Sequence, residues 1–121
     1  MDREPGSSRL VVLEAKFEEH VSRGIPALKR TGYNPTRFLE MVEECGGVLG
    51  AAKKLLSNSR HTSYGFERLW ALGRLDASVE YAVCLPWFEE LFVPEEVHEA
   101  TTRLVTHDFP LLKRLATETP A

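Results

Sequence analysis

Several patterns that define common protein classes are missing from this 121-residue chain. No apolar run approaches the roughly 18 residues of a membrane-spanning helix. The first residues, MDREPGSSR, do not have the charged-then-apolar order of a secretory signal. Only two cysteines are present, Cys45 and Cys84, and they form no CxxC motif. These absences predict a cytoplasmic protein with no membrane segment and with buried free thiols.

Sequence signatures of catalysis are missing as well. The chain contains no GxSxG, HExxH, GxxxxGK[ST] or GxGxxG motif. Its four histidines are never spaced as an i, i+4 pair, and the adjacent Glu89 and Glu90 would point in different directions on a helix. Charged stretches are usually solvated helix faces. The sequence therefore predicts a protein that is not an enzyme and that uses no cofactor or metal.

Helical spacing of apolar residues is the main positive signal. The chain is 43% hydrophobic, which is enough for one buried core, and strand patterns are nearly absent. We predict an all-α fold, a compact bundle of six to seven short helices. The single domain would span residues 9–117, between a disordered leader at 1–8 and a polar tail at 118–121.

Local signals predict where these helices begin and end. Gly24 and Pro26 would break the first helix near its end, and the third helix would run from Val48 to Leu56. The remaining predicted starts and stops are a cap at Asn34 with Pro35, a stop at Gly46-Gly47, a cap at Ser63, a stop at Gly73, a cap at Asp76, a start at Pro94 and a cap at Asp108.

The charge is divided unevenly along the chain. The formal net charge is only −3, which argues against a protein that coats nucleic acid by bulk charge. Residues 23–74, however, contain nine basic and four acidic side chains, whereas residues 75–108 contain eight acidic side chains and one basic one. The sequence therefore predicts a basic region and an acidic region within one domain.

The basic region also contains a candidate helix-turn-helix-like unit. Small residues at 50–52 would let two helices cross closely before a polar turn and a further helix. In such units, phosphate-binding and base-reading side chains lie at the start of the second helix. The connection is longer than a standard turn, so a plain pair of antiparallel helices remains the alternative.

Residues 32–104 resemble a family of small bacterial all-α domains. The resemblance lies in GYNPTRFLEMVEECGGVLGAAKKLL, GFERLWALGRLDASVE and PWFEELFVPEE. It implies a link to DNA modification or restriction, and in one branch to binding of methylcytosine-containing DNA. This chain departs from the pattern at Val93-Pro94, where a Ser or Thr cap is expected, and in its longer carboxyl terminus, HDFPLLKRLATETPA. The resemblance implies no catalytic residue.

Together these features predict a non-enzymatic protein that binds duplex DNA, with methylcytosine-containing duplexes as a candidate target. Tyr64 is the candidate contact to a cytosine methyl group, which lies in the major groove. Self-association through Trp87-Phe88 or the carboxyl-terminal helix would strengthen binding. A DNA-binding protein of this kind would associate with the nucleoid. The predicted DNA-binding residues are Lys53, Lys54, Arg60, His61, Ser63, Tyr64, Arg68 and Arg74. The alternative is a protein-interaction or antitoxin-like module that uses the acidic carboxyl-terminal half.

Overall fold

The computed structural model describes residues 5–32, 34–57 and 64–119, and at residues 5–8 and 64 it describes the backbone. Within these ranges the chain forms eight α-helices and two 3-10 helices, without strands, and the predicted all-α bundle is confirmed. The α-helices are α1 (Pro5–Arg23), α2 (Ile25–Arg30), α3 (Thr36–Cys45), α4 (Val48–Leu56), α5 (Tyr64–Ala71), α6 (Val79–Cys84), α7 (Pro94–Thr106) and α8 (Leu111–Leu115). The 3-10 helices are Leu75–Ala77 and Pro86–Leu91.

The first predicted helix is divided into α1 and α2 at Gly24. Pro26 falls in the first turn of α2, where a proline costs no intrahelical hydrogen bond. At its other end α1 begins at Pro5 and so includes residues 5–8 of the predicted leader. Proline suits this first position because its fixed φ angle is already helical. Residues 1–4 and 120–121 lie outside the described residues.

Several predicted helix ends are confirmed by backbone geometry. Gly46 and Gly73 adopt φ angles of 79° and 71°, in the left-handed region that glycine enters without steric cost. The start of α3 differs by one residue from the prediction: α3 begins at Thr36 and Pro35 occupies the N-cap position, while the Asn34 side chain accepts a hydrogen bond of 3.2 Å from the Thr36 N–H. α7 begins at Pro94 as predicted, and the Glu96 carboxylate accepts a 2.9 Å hydrogen bond from the Val93 N–H.

Two predicted caps are wrong. Ser78, not Asp76, caps α6, because the extended backbone of Ser78 directs its hydroxyl oxygen to the Tyr81 N–H at 3.1 Å. Asp76 instead lies inside the preceding 3-10 helix. Asp108 does not cap α8. It has a φ of 61° just after α7, and Pro110 precedes α8.

The core joins α1 to the segments that follow α5. Phe17 is fully buried and meets the rings of Phe88 and Phe92 edge to face, with centroids 5.2 and 5.3 Å away. Burying each such ring contributes about 1.5–3 kcal/mol, and each edge-to-face pair adds about 0.5–1.5 kcal/mol. Ala51 and Ala52 of α4 are also fully buried. Their small side chains let α4 pack closely against its neighbours.

One buried arginine connects three helices. Arg103 of α7 is only 4% exposed, and its guanidinium donates to Glu80 of α6 at 2.9 Å and to Glu99 at 2.8 Å. It also donates to the backbone oxygen of Leu55, near the end of α4, at 3.0 Å. Burial raises the pKa of Glu80, and the hydrogen bond and charge of Arg103 oppose that rise. Arg103 thus fixes α4, α6 and α7 relative to one another.

Candidate nucleic-acid interface

Two of the predicted DNA-binding residues have exposed cationic side chains. Lys54 lies in the last turn of α4, and Arg68 lies on α5. Neither side chain forms an ion pair with any of the described residues. A cation near the end of a helix is favoured by the helix dipole, which helps to explain Lys54 at this position. Both charges are therefore accessible to an anionic partner.

Lys53 is held within the fold instead. Its ammonium group lies 2.8 Å from a carboxylate oxygen of Glu96 and 5.1 Å from the centre of the Phe92 ring. The partner Glu96 is 43 residues away in sequence. The Lys53 ammonium therefore joins α4 to α7 and is less available for phosphate than that of Lys54.

Arg74 also has an internal partner. Its guanidinium lies 3.2 Å from Asp76, and the other oxygen of Asp76 lies 3.5 Å from Arg114 of α8. Asp76 thus forms ion pairs with two arginines and does not cap a helix. Because the Arg74 side chain is still 40% exposed, this pair is partly screened by water.

The structure does not describe the side chains of the other four predicted site residues. Arg60, His61 and Ser63 lie outside the described residues, and Tyr64 is the first residue of α5. Their roles as phosphate or base contacts stay predictions. Of the predicted DNA-binding residues, Lys54 and Arg68 are therefore available to bind an anion, whereas Lys53 and Arg74 are paired within the protein.

The close helix crossing predicted from the small residues involves the preceding helix, α3. An added Cβ at Gly50 would lie 2.9 Å from the backbone oxygen of Cys45, the last residue of α3. The main packing partners of α4 are α3, α1, α6 and α7, whereas α5 packs mainly on the first 3-10 helix. A helix-turn-helix-like unit made of α4 and α5 stays a prediction.

α5 is attached to the end of α7 through aromatic contacts. The imidazole of His107 meets the rings of Phe66 and Trp70 edge to face, with centroids 4.9 and 5.0 Å away. Its Nδ1 is also 2.8 Å from the backbone oxygen of Arg103. The sequence favoured a solvated helix face for the acidic stretch that contains His107. It missed these contacts because the partners of His107 lie on another helix. These contacts hold the helix that carries Arg68.

Other cations of the basic region lie on α2, on α3 and at the end of α1. Lys29, Arg30 and Arg37 are exposed and form no ion pair within the described ranges. Arg23 pairs with Glu19 one helical turn away, at 3.2 Å. Exposed acidic residues follow Arg37 along α3, namely Glu40, Glu43 and Glu44. The basic region is therefore not uniformly positive at the surface.

Five of the eight acidic residues in the acidic region form ion pairs within the protein. Arg9 pairs with Glu90, and the ion pairs of Lys53, Arg74, Arg103 and Arg114 engage four further carboxylates. The engaged acidic residues are Asp76, Glu80, Glu90, Glu96 and Glu99, whereas Glu89, Glu95 and Asp108 are exposed without ion pairs among the described residues. The acidic surface is consequently weaker than the sequence count suggests.

The two predicted self-association surfaces differ in exposure. The sequence favours a core position for Trp87, with an exposed apolar patch as the alternative. Phe88 is 3% exposed and Trp87 packs half-buried against the core, which agrees with the core position. Self-association through this pair stays a prediction. The second 3-10 helix packs on α1, where Phe88 contacts Phe17. Leu112 of α8, by contrast, is 83% exposed. Self-association through α8 stays a prediction.

Comparisons with protein-family models, curated proteins and solved structures gave no match for this chain. The family resemblance proposed from the sequence therefore stays a prediction. None of the helices in the described ranges has the length and apolar character needed to cross a membrane. The same residues contain no group of three or more His, Cys, Asp or Glu side chains arranged to hold a metal ion.

Proposed function

We propose that this protein is a non-enzymatic DNA-binding protein whose phosphate contacts include Lys54 and Arg68. The observation that carries the proposal is the exposure of both cations without ion pairs among the described residues. Cations of this kind neutralise phosphates and release counterions, which supplies most of the affinity of sequence-independent DNA binding. Internal neutralisation of most of the acidic region supports the proposal further, because it reduces repulsion between the protein and the duplex.

Recognition of methylcytosine is a finer version of this proposal. A cytosine methyl group lies in the major groove, so discrimination requires an apolar contact at that group. Tyr64 is the candidate, since it begins the helix that carries Arg68. A preference for methylated over unmethylated duplexes of the same sequence would support this version, and equal affinity would restrict the function to sequence-independent phosphate binding.

The DNA-binding proposal predicts a specific loss on neutralising its two cations. The full-length variant Lys54→Gln/Arg68→Gln should bind duplex DNA at least tenfold more weakly than the wild type in a mobility-shift titration at low salt. The matched control is Lys16→Gln/Lys113→Gln, which removes the same charge from exposed positions on α1 and α8. The control should retain most of the wild-type affinity.

Two results would contradict the proposal. If the wild-type protein at micromolar concentration shifts neither methylated nor unmethylated duplex at low salt, the protein does not bind DNA in this way. If both double variants lose affinity equally, binding depends on total charge and not on Lys54 and Arg68.

The alternative function, a protein-interaction or antitoxin-like module using the acidic half, has less support. Glu89, Glu95 and Asp108 are the exposed acidic residues of this half that form no ion pair within the described ranges. A surface with so few free carboxylates offers little electrostatic complementarity to a basic partner. If the wild-type protein does not bind DNA, this alternative becomes the leading hypothesis.

A further inference from the structure

A cleft of about 510 Å³ lies among α2, the start of α3, α5 and the start of α6. Its walls are mainly apolar, with contributions from Ile25, Leu28, Phe38, Met41, Leu69 and Val79. The volume is within the range of about 300–1,000 Å³ that is usual for small-molecule sites. Of the predicted DNA-binding residues whose side chains the structure describes, namely Lys53, Lys54, Arg68 and Arg74, none lines this cleft.

The polar groups along the cleft are nearly all engaged within the protein. Ser78 donates to the Leu75 backbone oxygen at 2.7 Å and accepts from the Tyr81 N–H. Glu80 reaches the cleft, but Arg103 holds its carboxylate at 2.9 Å. These groups have little capacity left for a ligand.

Among the charged residues that the structure describes in the lining, Arg37 differs from Glu80 in having no ion-pair partner. It occupies the first turn of α3, is exposed, and forms no ion pair with any described residue. A guanidinium has a fixed fork of donors that matches the two oxygens of a carboxylate. The cleft thus combines an apolar interior with one available cationic group.

We propose that this cleft binds an amphipathic monocarboxylate, with its apolar body between α3 and α5 and its carboxylate on Arg37. The chemistry follows from the lining: apolar walls favour a hydrocarbon or aromatic body, and the available charge is positive. The site is independent of the DNA-binding proposal, since it uses neither Lys54 nor Arg68.

The direct test is calorimetric titration of the full-length protein with three probes below their micelle-forming concentrations. Decanoate represents an alkyl carboxylate and 2-naphthoate an aromatic one, whereas decyltrimethylammonium has the same alkyl chain with the opposite charge. At least one carboxylate should bind with one-to-one stoichiometry, at least tenfold more tightly than the ammonium compound. The carboxylate that binds more tightly identifies the preferred class of apolar body.

Two variants assign the binding to this cleft. Arg37→Gln should weaken carboxylate binding at least tenfold, and Met41→Trp should weaken it by filling the cleft. The matched control is Arg30→Gln, because Arg30 is an exposed arginine on α2 that does not line the cleft. Circular dichroism of each variant checks that the helical fold is retained.

The proposal is overturned if neither carboxylate binds at millimolar concentration, or if decyltrimethylammonium binds as tightly as the tighter-binding carboxylate. It is also overturned if Arg37→Gln and Arg30→Gln bind the carboxylate equally well. If Met41→Trp fails to fold, the comparison of Arg37→Gln with Arg30→Gln still decides the question. DNA binding should be unaffected by Arg37→Gln, so failure of one proposal leaves the other standing.

Discussion

At the scale of single residues, the ion pairs differ sharply in their surroundings. Arg103 and Glu80 have side chains that are 4% and 3% exposed, whereas Arg23 and Glu19 have side chains that are 60% and 69% exposed. Removing one member of a buried pair leaves a charge without water or a partner. Removing one member of an exposed pair returns the other to water. The two pairs should therefore respond very differently to the same substitution.

Arg103→Leu should lower the free energy of unfolding by about 3–5 kcal/mol, because Glu80 is left buried without its partner. The measurement is urea unfolding followed by circular dichroism. Arg23→Leu is the control, and breaking that exposed pair should cost less than about 1 kcal/mol. The double variant Arg103→Leu/Glu80→Leu should recover part of the loss. A double variant whose loss equals the sum of both single losses would contradict this explanation.

The half-buried imidazole of His20 gives a pH prediction. Burial against Phe88, whose ring centre is 5.8 Å away, lowers the pKa of His20 from its usual 6.5, while the charge of Glu118 opposes the shift and that of Arg23 adds to it. Below pH 6.5 the unfolded chain therefore binds more protons than the folded chain. Neutral His20 therefore makes its whole contribution to the free energy of unfolding above pH 6.5. This contribution decreases as the pH falls from 6.5 through the lowered pKa.

His20→Gln should consequently reduce the loss of unfolding free energy between about pH 7.5 and about pH 5, compared with the wild type. The measurement is urea unfolding at both pH values. His98→Gln, at an exposed position on α7, is the matched control and should keep the wild-type pH dependence. An unchanged pH dependence in His20→Gln would show that other groups cause the acid sensitivity.

At the scale of helices, the corner between α3 and α4 depends on glycine for two different reasons. Gly46 provides the left-handed φ of 79° that ends α3. Gly50, inside α4, provides space, since a Cβ there would lie 2.9 Å from the Cys45 oxygen and 3.1 Å from its Cβ. Because the nearest atom belongs to the backbone, the clash can be relieved only by moving α3 relative to α4.

Gly50→Ala should therefore destabilise the protein by about 1–3 kcal/mol, the usual cost of overpacking, although alanine is the better helix former. Gly24→Ala is a matched comparison. Gly24 has a right-handed helical backbone and its nearest contact would be 3.8 Å away, so alanine should stabilise by about 0.4–1 kcal/mol. Thermal unfolding of both variants measures the difference. A stabilised Gly50→Ala would mean that α3 and α4 can separate at little cost.

At the scale of the whole molecule, the net charge of −3 conceals where the charges act. Five of the eight acidic residues between positions 75 and 108 form ion pairs, some with bases from distant parts of the chain, as in Arg9 with Glu90 and Lys53 with Glu96. Lys54 and Arg68 form no such pairs among the described residues. A chain with a small negative net charge can therefore present local positive charge to a polyanion.

This arrangement predicts a salt dependence for DNA binding that follows the local charge. The logarithm of the association constant should fall linearly with the logarithm of salt concentration, with a slope of about −0.9 for each phosphate contacted. In Lys54→Gln/Arg68→Gln the slope should be smaller in magnitude by about two. The measurement is fluorescence anisotropy of a labelled duplex over a range of salt concentrations. Equal slopes for the variant and the wild type would exclude both residues as phosphate contacts.

Local sequence alone determined most of the secondary structure. The span Val48–Leu56 of α4, the stops at Gly46 and Gly73, and the start at Pro94 all follow from spacing and from the conformations open to glycine and proline. These preferences act within a few residues, so they can be recognised without the fold. Local preferences could not decide whether Asp76 or Ser78 caps α6, because either side chain is a suitable cap.

The tertiary structure alone decided which charges are available. Lys53 and Lys54 are adjacent in sequence and chemically identical, yet Lys53 pairs with Glu96 at 2.8 Å whereas Lys54 is exposed. In the same way, Arg103 is the one base in an acidic segment, and the fold buries it between α4, α6 and α7. Ion pairs and clefts join residues far apart in the chain, and their distances depend on how the helices pack. Composition gave the total charge of −3, but only packing determined which cations face the solvent.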